Sequence, residues 1–377
     1  MKNVQAFKMD QWSSYASALS VNDRRKLSSN PDLEVFDPEL KLTYGSFEGS
    51  LKLRERIAEV HSSEETKLTA DNVLVTPGSI MANFLILDTI YGSGDHIICQ
   101  YPTFGQLYRL PEFNDVDVGL WKMDEENSWM PSIDELVTMI KPNTKAIILN
   151  NPSNPTGAVL PKELLLQVAD VASKSNITIL CDEVFNPLFF TEPKPPSFVT
   201  LGYTNSVVTG SLSKAFAIPG VRLGWIVTQD AELLRKVGTT RDYTTISVSQ
   251  LDDSVAAFAL GPAVLPGLMK RNLALCEDSI SQIEDFVKRN EQRCRWIKSS
   301  GAGTAFVQVL DRDGKPVDDT AFSKKLSDEE SVCVIPGGHC FGEGGGDDFK
   351  GYVRIALGDP ELLRESLPLL ERFIQNM

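Results

Sequence analysis

Between about residues 68 and 229, short apolar runs rich in β-branched residues alternate with stretches whose apolar positions recur at helical spacing. The runs fall at 73–76, 96–100, 146–149, 178–181, 206–209 and 225–228. Helical spacing fills 80–91, 133–140 and 162–174 between them. A period that switches repeatedly between strand and helix predicts an α/β fold with a mostly parallel sheet. Cofactors of such sheets sit at the carboxyl ends of the strands.

After Pro266 the pattern changes. The spacing predicts one long helix over 267–299, with Leu268, Leu275, Ile283, Phe286 and Ile297 among its apolar positions. Strand-like pieces follow at 305–310, 332–335 and 352–356, then a final helix over 361–375. This reads as a smaller α+β domain. The chain is expected to divide into an N-terminal arm and part of the small domain (1–45), a large domain (46–265) and a small C-terminal domain (266–377).

Composition narrows the classes. The 377 residues are enough to bury a sizeable core in two domains. No apolar run reaches the roughly eighteen residues of a membrane span. The opening MKNVQAFKMDQW lacks the apolar core of a signal peptide, so a cytoplasmic protein is expected. The six cysteines are scattered without a CxxC pair, which reads as free thiols in a reducing compartment. Three dispersed histidines are too few for a metal site. A net charge of −14 argues against nucleic acid, which needs a basic surface. A small molecule is the expected partner.

The strongest chemical signal is Ser211-Leu-Ser213-Lys214, followed by Pro219-Gly-Val-Arg222-Leu-Gly224. A lysine after a strand can form a Schiff base with a carbonyl cofactor. Hydroxyls before it and a guanidinium eight residues after it can bind a phosphate dianion through charge-assisted bonds. A lone lysine is ordinarily a solvated surface group, so the weight lies on the combined string.

That string resembles the class I/II aminotransferases, fold type I pyridoxal-phosphate enzymes, and the resemblance extends from Tyr44 to Gly358. It implies a large domain with a mostly parallel seven-stranded sheet plus a smaller α+β domain, pyridoxal 5′-phosphate joined to Lys214, and an amino-acid substrate. Asn151-Pro-Ser-Asn154-Pro-Thr-Gly157 is similar to the family's NPxNPTG turn, which puts Asn154 on the cofactor's phenolic oxygen and beside the substrate. Asp182 closes an apolar strand, where a carboxylate is costly unless it meets a cation. A protonated pyridine nitrogen is such a cation, and the pairing keeps the ring an electron sink.

Thr76-Pro-Gly78-Ser79-Ile80 lies where a strand turns into a helix, so backbone N–H groups there suit the phosphate. Tyr101-Pro-Thr-Phe104 resembles the family's YPxY stretch, which sets Phe104 on the ring face. The segment from Tyr44 to Arg54 resembles the one whose tyrosine reaches the phosphate of the neighbouring subunit, and so implies a homodimer with shared active sites. Arg354, in Tyr352-Val-Arg-Ile-Ala, is implied to hold the substrate α-carboxylate, a task for which a planar fork is suited.

Two departures stand out. The family has a tyrosine three residues after the ring-nitrogen aspartate, and here that position is Phe185. Without the hydroxyl's bond to the phenolic oxygen, the lysine–cofactor Schiff base is expected to hold its proton to higher pH than is usual in the family. Spectrophotometric pH titration checks this, and a Schiff base fully deprotonated at neutral pH would count against it. The opening segments, Phe7 to Trp12 and Leu27 to Asp32, are similar to the capreomycidine-synthase-like branch, which eliminates a hydroxyl from a hydroxylated arginine and closes a ring.

Two enzymatic readings therefore stand: an aminotransferase acting through an external aldimine, and an eliminase or cyclase whose guanidinium could meet Asp10, Asp23 or Asp32. A silent ligand-binding regulator is disfavoured by the intact set of Lys214, Asp182, Asn154, Arg222 and Arg354. The glycine-rich stretch from Phe341 to Asp348 lacks the Lys-Ser/Thr of a phosphate loop and reads as a flexible surface loop. His339 lies near the Arg354 strand without an assigned role.

Overall fold

The computed structural model describes residues 13–30, 32–343 and 348–377, and the backbone of 9–10. Phe7, Lys8, Gln11, Trp12 and Pro31 of the opening segments, the Asp10 side chain and residues 344–347 of the glycine loop lie outside the described residues.

Eight strands form the main sheet: β1 (Val73–Thr76), β2 (His96–Tyr101), β3 (Asp117–Asp124), β4 (Met130–Pro131), β5 (Thr144–Asn150), β6 (Thr178–Asp182), β7 (Ser206–Ser211) and β8 (Gly224–Thr228). Their order is β1-β8-β7-β6-β5-β2-β3-β4. Pairing is parallel from β7 through β6, β5 and β2 to β3. Strand β8 runs antiparallel between β1 and β7, and β4 folds back on β3. The chain is thus α/β with a mostly parallel sheet, as the pattern predicts. The seven expected strands are present, and β4 adds a two-residue eighth at the edge. Strand β3 was missing from the apolar runs because it is half wet: Lys122, Asp117 and Asp124 face solvent while Trp121 and Met123 are buried.

Strands β2, β7 and β8 are buried along their whole length. A parallel sheet covered on both faces has no wet side, so its strands read as continuous apolar runs. Successive side chains still point to opposite faces. Ile98, Ile147, Ile179, Val208 and Val227 enter one apolar layer. Ile97, Ile148, Leu180, Val207 and Ile226 enter the other.

The second sheet has the order β9-β10-β12-β11, from β9 (Cys294–Trp296), β10 (Thr304–Val309), β11 (Ile335–Pro336) and β12 (Tyr352–Ala356). Here the sequence reading needs correction. The long helix is Leu265–Arg289, ten residues shorter at its end than the 267–299 expected. Asn290 stops it: its Nδ2 donates to Phe286 O at 2.9 Å and to Glu371 Oε1 at 3.1 Å. Cys294–Trp296 then pairs with β10, so Ile297 belongs to no helix. The run at 332–335 is also two pieces, because Val332–Cys333 pairs in parallel with Met9–Asp10 while Ile335–Pro336 pairs with β12. The final helix is Pro360–Asn376.

The topology decides where chemistry can occur. Asn150, Asp182 and Ser211 end the parallel strands β5, β6 and β7, and Thr76 ends β1. Strand β8 runs the other way, so its first residue, Gly224, lies at the same end, just after Arg222. Residues far apart in sequence therefore meet above one edge, the crevice where such sheets bind ligands.

Candidate active site

A cavity of about 540 Å³ opens at that edge, lined by Ser79, Asn154, Asp182, Lys214, Arg222 and Arg354 among others. A larger cavity of about 830 Å³ lies elsewhere, between the 33–52 segment and the 248–263 region, and contains none of the motif residues around Lys214. Convergent polar groups rather than size mark a functional pocket, so the smaller cavity is the candidate site.

Its anion-binding end is built on the helix Ser79–Ile90. Gly78, at φ 84°, turns the chain into the helix, so Ser79 and Ile80 are its first residues. The N–H groups of a first turn have no partner within their helix and carry the positive end of its dipole. Gly224 makes the turn possible: a Cβ there would lie 2.5 Å from Gly78 C and Ser79 N. Arg222 reaches the same place in a left-handed conformation, φ 52° and ψ 46°. Its Nη1 donates to Pro219 O at 3.0 Å and stands 3.5 Å from Ser213 Oγ. Ser211 Oγ lies 2.9 Å from Ser213 Oγ and accepts from the Ser213 N–H at 3.0 Å. Two hydroxyls, a guanidinium and a helix start make a donor set for a phosphate dianion, so the residues present fit a phosphorylated cofactor.

The centre holds the amine and the acid. Burial, reinforced by the positive Arg354 and Arg222, lowers the Lys214 ammonium to about 8 against the pull of Asp182. The Tyr15 ring lies 5.5 Å from Lys214 Nζ. Burial pushes Asp182 up to about 6, opposed by hydrogen bonds from Asn83 and Val184. Asn83 Nδ2 donates to Asp182 Oδ2 at 3.1 Å, Thr209 Oγ1 donates to Asn83 Oδ1 at 2.7 Å, and the Val184 N–H donates to Asp182 Oδ1 at 3.0 Å. The carboxyl is thus held by its rear lone pairs. A lowered lysine has a sign that can be checked. Its free-base fraction, the nucleophile, rises through about pH 8 instead of about 10.5. Apoprotein is therefore expected to bind a pyridoxal aldehyde covalently at a rate whose midpoint lies near pH 8, followed by absorbance at saturating aldehyde.

The third group is Arg354, 7% exposed on β12 and lowered to about 10 by burial. Its Nη1 donates to Asn154 Oδ1 at 2.8 Å. Asn154 is itself positioned by Asn150, whose Oδ1 accepts from the Asn154 N–H at 2.8 Å and whose Nδ2 donates to Asp182 O at 2.9 Å. Phe104, 38% exposed, and Phe185, 1% exposed, supply apolar walls, with no hydroxyl at 185.

All the residues expected to hold cofactor or α-carboxylate, except Tyr44 and Gly78, line this cavity or bond to residues that do; Gly78 sets the turn, and Tyr44 stands apart, 76% exposed. Asp23 lies in the first turn of its helix, gives its N–H to the Ser20 cap and pairs with Lys26 at 3.0 Å, and Asp32 is exposed, and neither lines the cavity. His339 offers its backbone N–H to Asp319. The glycine stretch is not free at its ends: Phe341 packs on Phe306 at 5.8 Å and Asp348 accepts from Tyr101 Oη at 3.0 Å. Sequence reasoning missed Asn83, Thr209, Asn150 and Tyr15. Asn83 left a usable trace, a polar residue inside the apolar helix segment Ser-Ile-Met-Ala-Asn-Phe-Leu, where a buried amide needs a partner.

A family model described as aminotransferase class I and II matches residues 19–368. The aspartate aminotransferase of Pyrococcus horikoshii is 28% identical over 87% of this chain and 82% of its own. Human tyrosine aminotransferase is 28% identical over 87% of this chain and 72% of its own. Among solved structures, a PLP-dependent aminotransferase from Streptococcus suis superposes with a TM-score of 0.86 at 30% identity, covering 98% of this chain and 94% of its own.

Proposed function

The chain belongs to the class I and II aminotransferases and uses pyridoxal 5′-phosphate, and from that premise we propose that it moves an amino group between an α-amino acid and a 2-oxo acid. The observation that carries this is the convergence of a lysine lowered by burial, a buried acid and a buried arginine on one cavity. When bound, the cofactor supplies an electrophilic carbonyl and an electron-withdrawing ring. Arg222, Ser211, Ser213 and the first turn at Ser79 and Ile80 hold its phosphate. Asp182 would meet the ring nitrogen and keep a proton there. Lys214 Nζ, once free of the cofactor, takes a proton from the substrate α-carbon and returns one. Arg354 would fix the α-carboxylate, and Asn154, which accepts from that arginine, would bind the phenolic oxygen.

Residues 46–265 form the cofactor-binding part in this reading, with 1–45 and 266–377 as the smaller part. The protein works as a homodimer. Leu42, Tyr44, Phe47 and Leu51 are exposed on one segment, beside exposed Leu251. Gln250 ties that segment down by donating to Lys41 O and Thr43 O. Tyr44 is free to reach a partner's phosphate.

Incubating holoenzyme with an amino-acid panel, with and without 2-oxoglutarate, tests the reaction. An aminotransferase turns over repeatedly only with the oxo acid, whereas product formation beyond one equivalent per site without it would move the assignment to elimination or cyclisation. Arg354→Lys is expected to raise KM for the amino acid about 30- to 100-fold with a smaller loss in kcat, because a point charge replaces a bidentate fork. Steady-state kinetics read this out, and an unchanged KM would remove Arg354 from carboxylate binding.

A further inference from the structure

Glu183 follows Asp182 in the chain and is just as buried, at 4% exposed. Its Oε1 accepts from the Phe198 N–H at 2.7 Å and its Oε2 from Asn186 Nδ2 at 2.7 Å. His61, 1% exposed at the end of the helix Leu51–His61, sets Nδ1 3.3 Å from Glu183 Oε2 and 3.0 Å from Ser197 Oγ. On the other side of the imidazole, Trp225 Nε1 donates to His61 Nε2 at 2.8 Å. The indole fits because Gly210 has no side chain: a Cβ there would lie 2.3 Å from Trp225 Nε1.

An indole N–H donates and cannot accept. His61 Nε2 must therefore present its lone pair, and the ring proton sits on Nδ1, toward Ser197 and Glu183. A doubly protonated ring would set two N–H groups against each other across 2.8 Å between two buried residues. Trp225 thus fixes the tautomer of the ring by geometry. Among the described residues, Glu183 has no other cation within ion-pair distance. Its two oxygens are held by neutral donors, one residue from Asp182.

We propose that Trp225 and His61 are positioning residues that keep Glu183 as a second, uncompensated negative group behind Asp182, and that this pair together favours the proton on the ring nitrogen. The inference rests on the proposed role of Asp182. The two carboxyls also sense each other, since Glu183, after burial, is among the groups that raise Asp182.

The tautomer is tested without turnover, by ¹⁵N-histidine NMR of the full-length protein, which has three histidines. The signal that vanishes in His61→Gln is expected to show Nδ1 protonated and Nε2 bare at neutral pH. Protonation of Nε2, alone or with Nδ1, would overturn the proposal. In the holoenzyme, Trp225→Phe removes the indole donor and lets Nε2 take a proton. Its kcat is expected to fall about tenfold with KM within about twofold, the effect of a neighbouring charge worth about one pKa unit. The ¹⁵N shift of bound, ring-labelled pyridoxal phosphate moves toward the unprotonated value. His61→Gln offers an oxygen to Trp225 and an amide N–H to Glu183, so it should keep the wild-type ¹⁵N shift, whereas His61→Leu should not. If Trp225→Phe fails to fold, the two His61 variants carry the test. A wild-type ring shift in both Trp225→Phe and His61→Leu sinks this inference alone, provided Asp182→Asn still disables the enzyme. Full turnover in Asp182→Asn would remove the underlying reading instead.

Discussion

Lys214→Ala is expected to lower kcat by about four orders of magnitude, the upper range for a single group acting as general acid and base, while the protein stays folded. The residue does two jobs. In the proposed reaction its amine would join the cofactor and, once released, would carry the proton to and from the substrate. Burial and two neighbouring guanidiniums lower it to about 8, so a useful fraction is free base at neutral pH. An ordinary lysine near 10.5 would be almost wholly charged there. Alanine leaves no other amine in the cavity lining to take over. The measurement has two parts. Turnover is compared with wild type at saturating amino acid and 2-oxo acid. The visible band of the lysine-bound cofactor should be absent, and borohydride should fix no cofactor mass on the variant. Retained covalent cofactor would move the anchor to another lysine, and retained turnover would remove Lys214 from the proton transfers.

How much of this was legible in the sequence varies with the physics of each element. The buried strands announced themselves because both faces are dry, as at 96–101 and 206–211. Strand β3 did not, because its charged positions face water. The helix end at Arg289 was hidden because Asn290 is a stop that depends on Glu371, more than eighty positions away. At the site, Lys214, Arg222, Asn154 and Asp182 lie in compact motifs whose spacing is set by single strand ends. Asn83 and Thr209 belong to a helix and a strand that meet only in the fold, so their bond to each other and to Asp182 has no local signature. The His61 and Trp225 pair is of the same kind: neither residue is unusual until 164 positions of chain are folded together.

Asp182→Asn is expected to lower kcat by roughly 10² to 10³, the range found when one preorganised electrostatic group is removed from a developing charge. The substitution is close to isosteric, so packing should survive. The partners make it more than a loss of charge. Asn83 Nδ2 and the Val184 N–H both donate to the carboxylate, and an asparagine must turn its own NH₂ toward one donor or the ring. A neutral amide facing the pyridine nitrogen no longer rewards a proton there, and the ring loses strength as an electron sink. The pH dependence separates this from a structural defect. With the carboxyl near 6, apoprotein should hold the cofactor more tightly above that value, where the acid is charged and attracts a protonated ring. Affinity should fall as pH drops through about 6 and the acid is neutralised. Asp182→Asn should show weaker binding without that inflection. Cofactor dissociation constants by fluorescence across about two pH units on either side of that midpoint give the profile. An inflection near 6 that persists in Asp182→Asn would assign it to another group, and turnover within about threefold of wild type would separate Asp182 from the chemistry altogether.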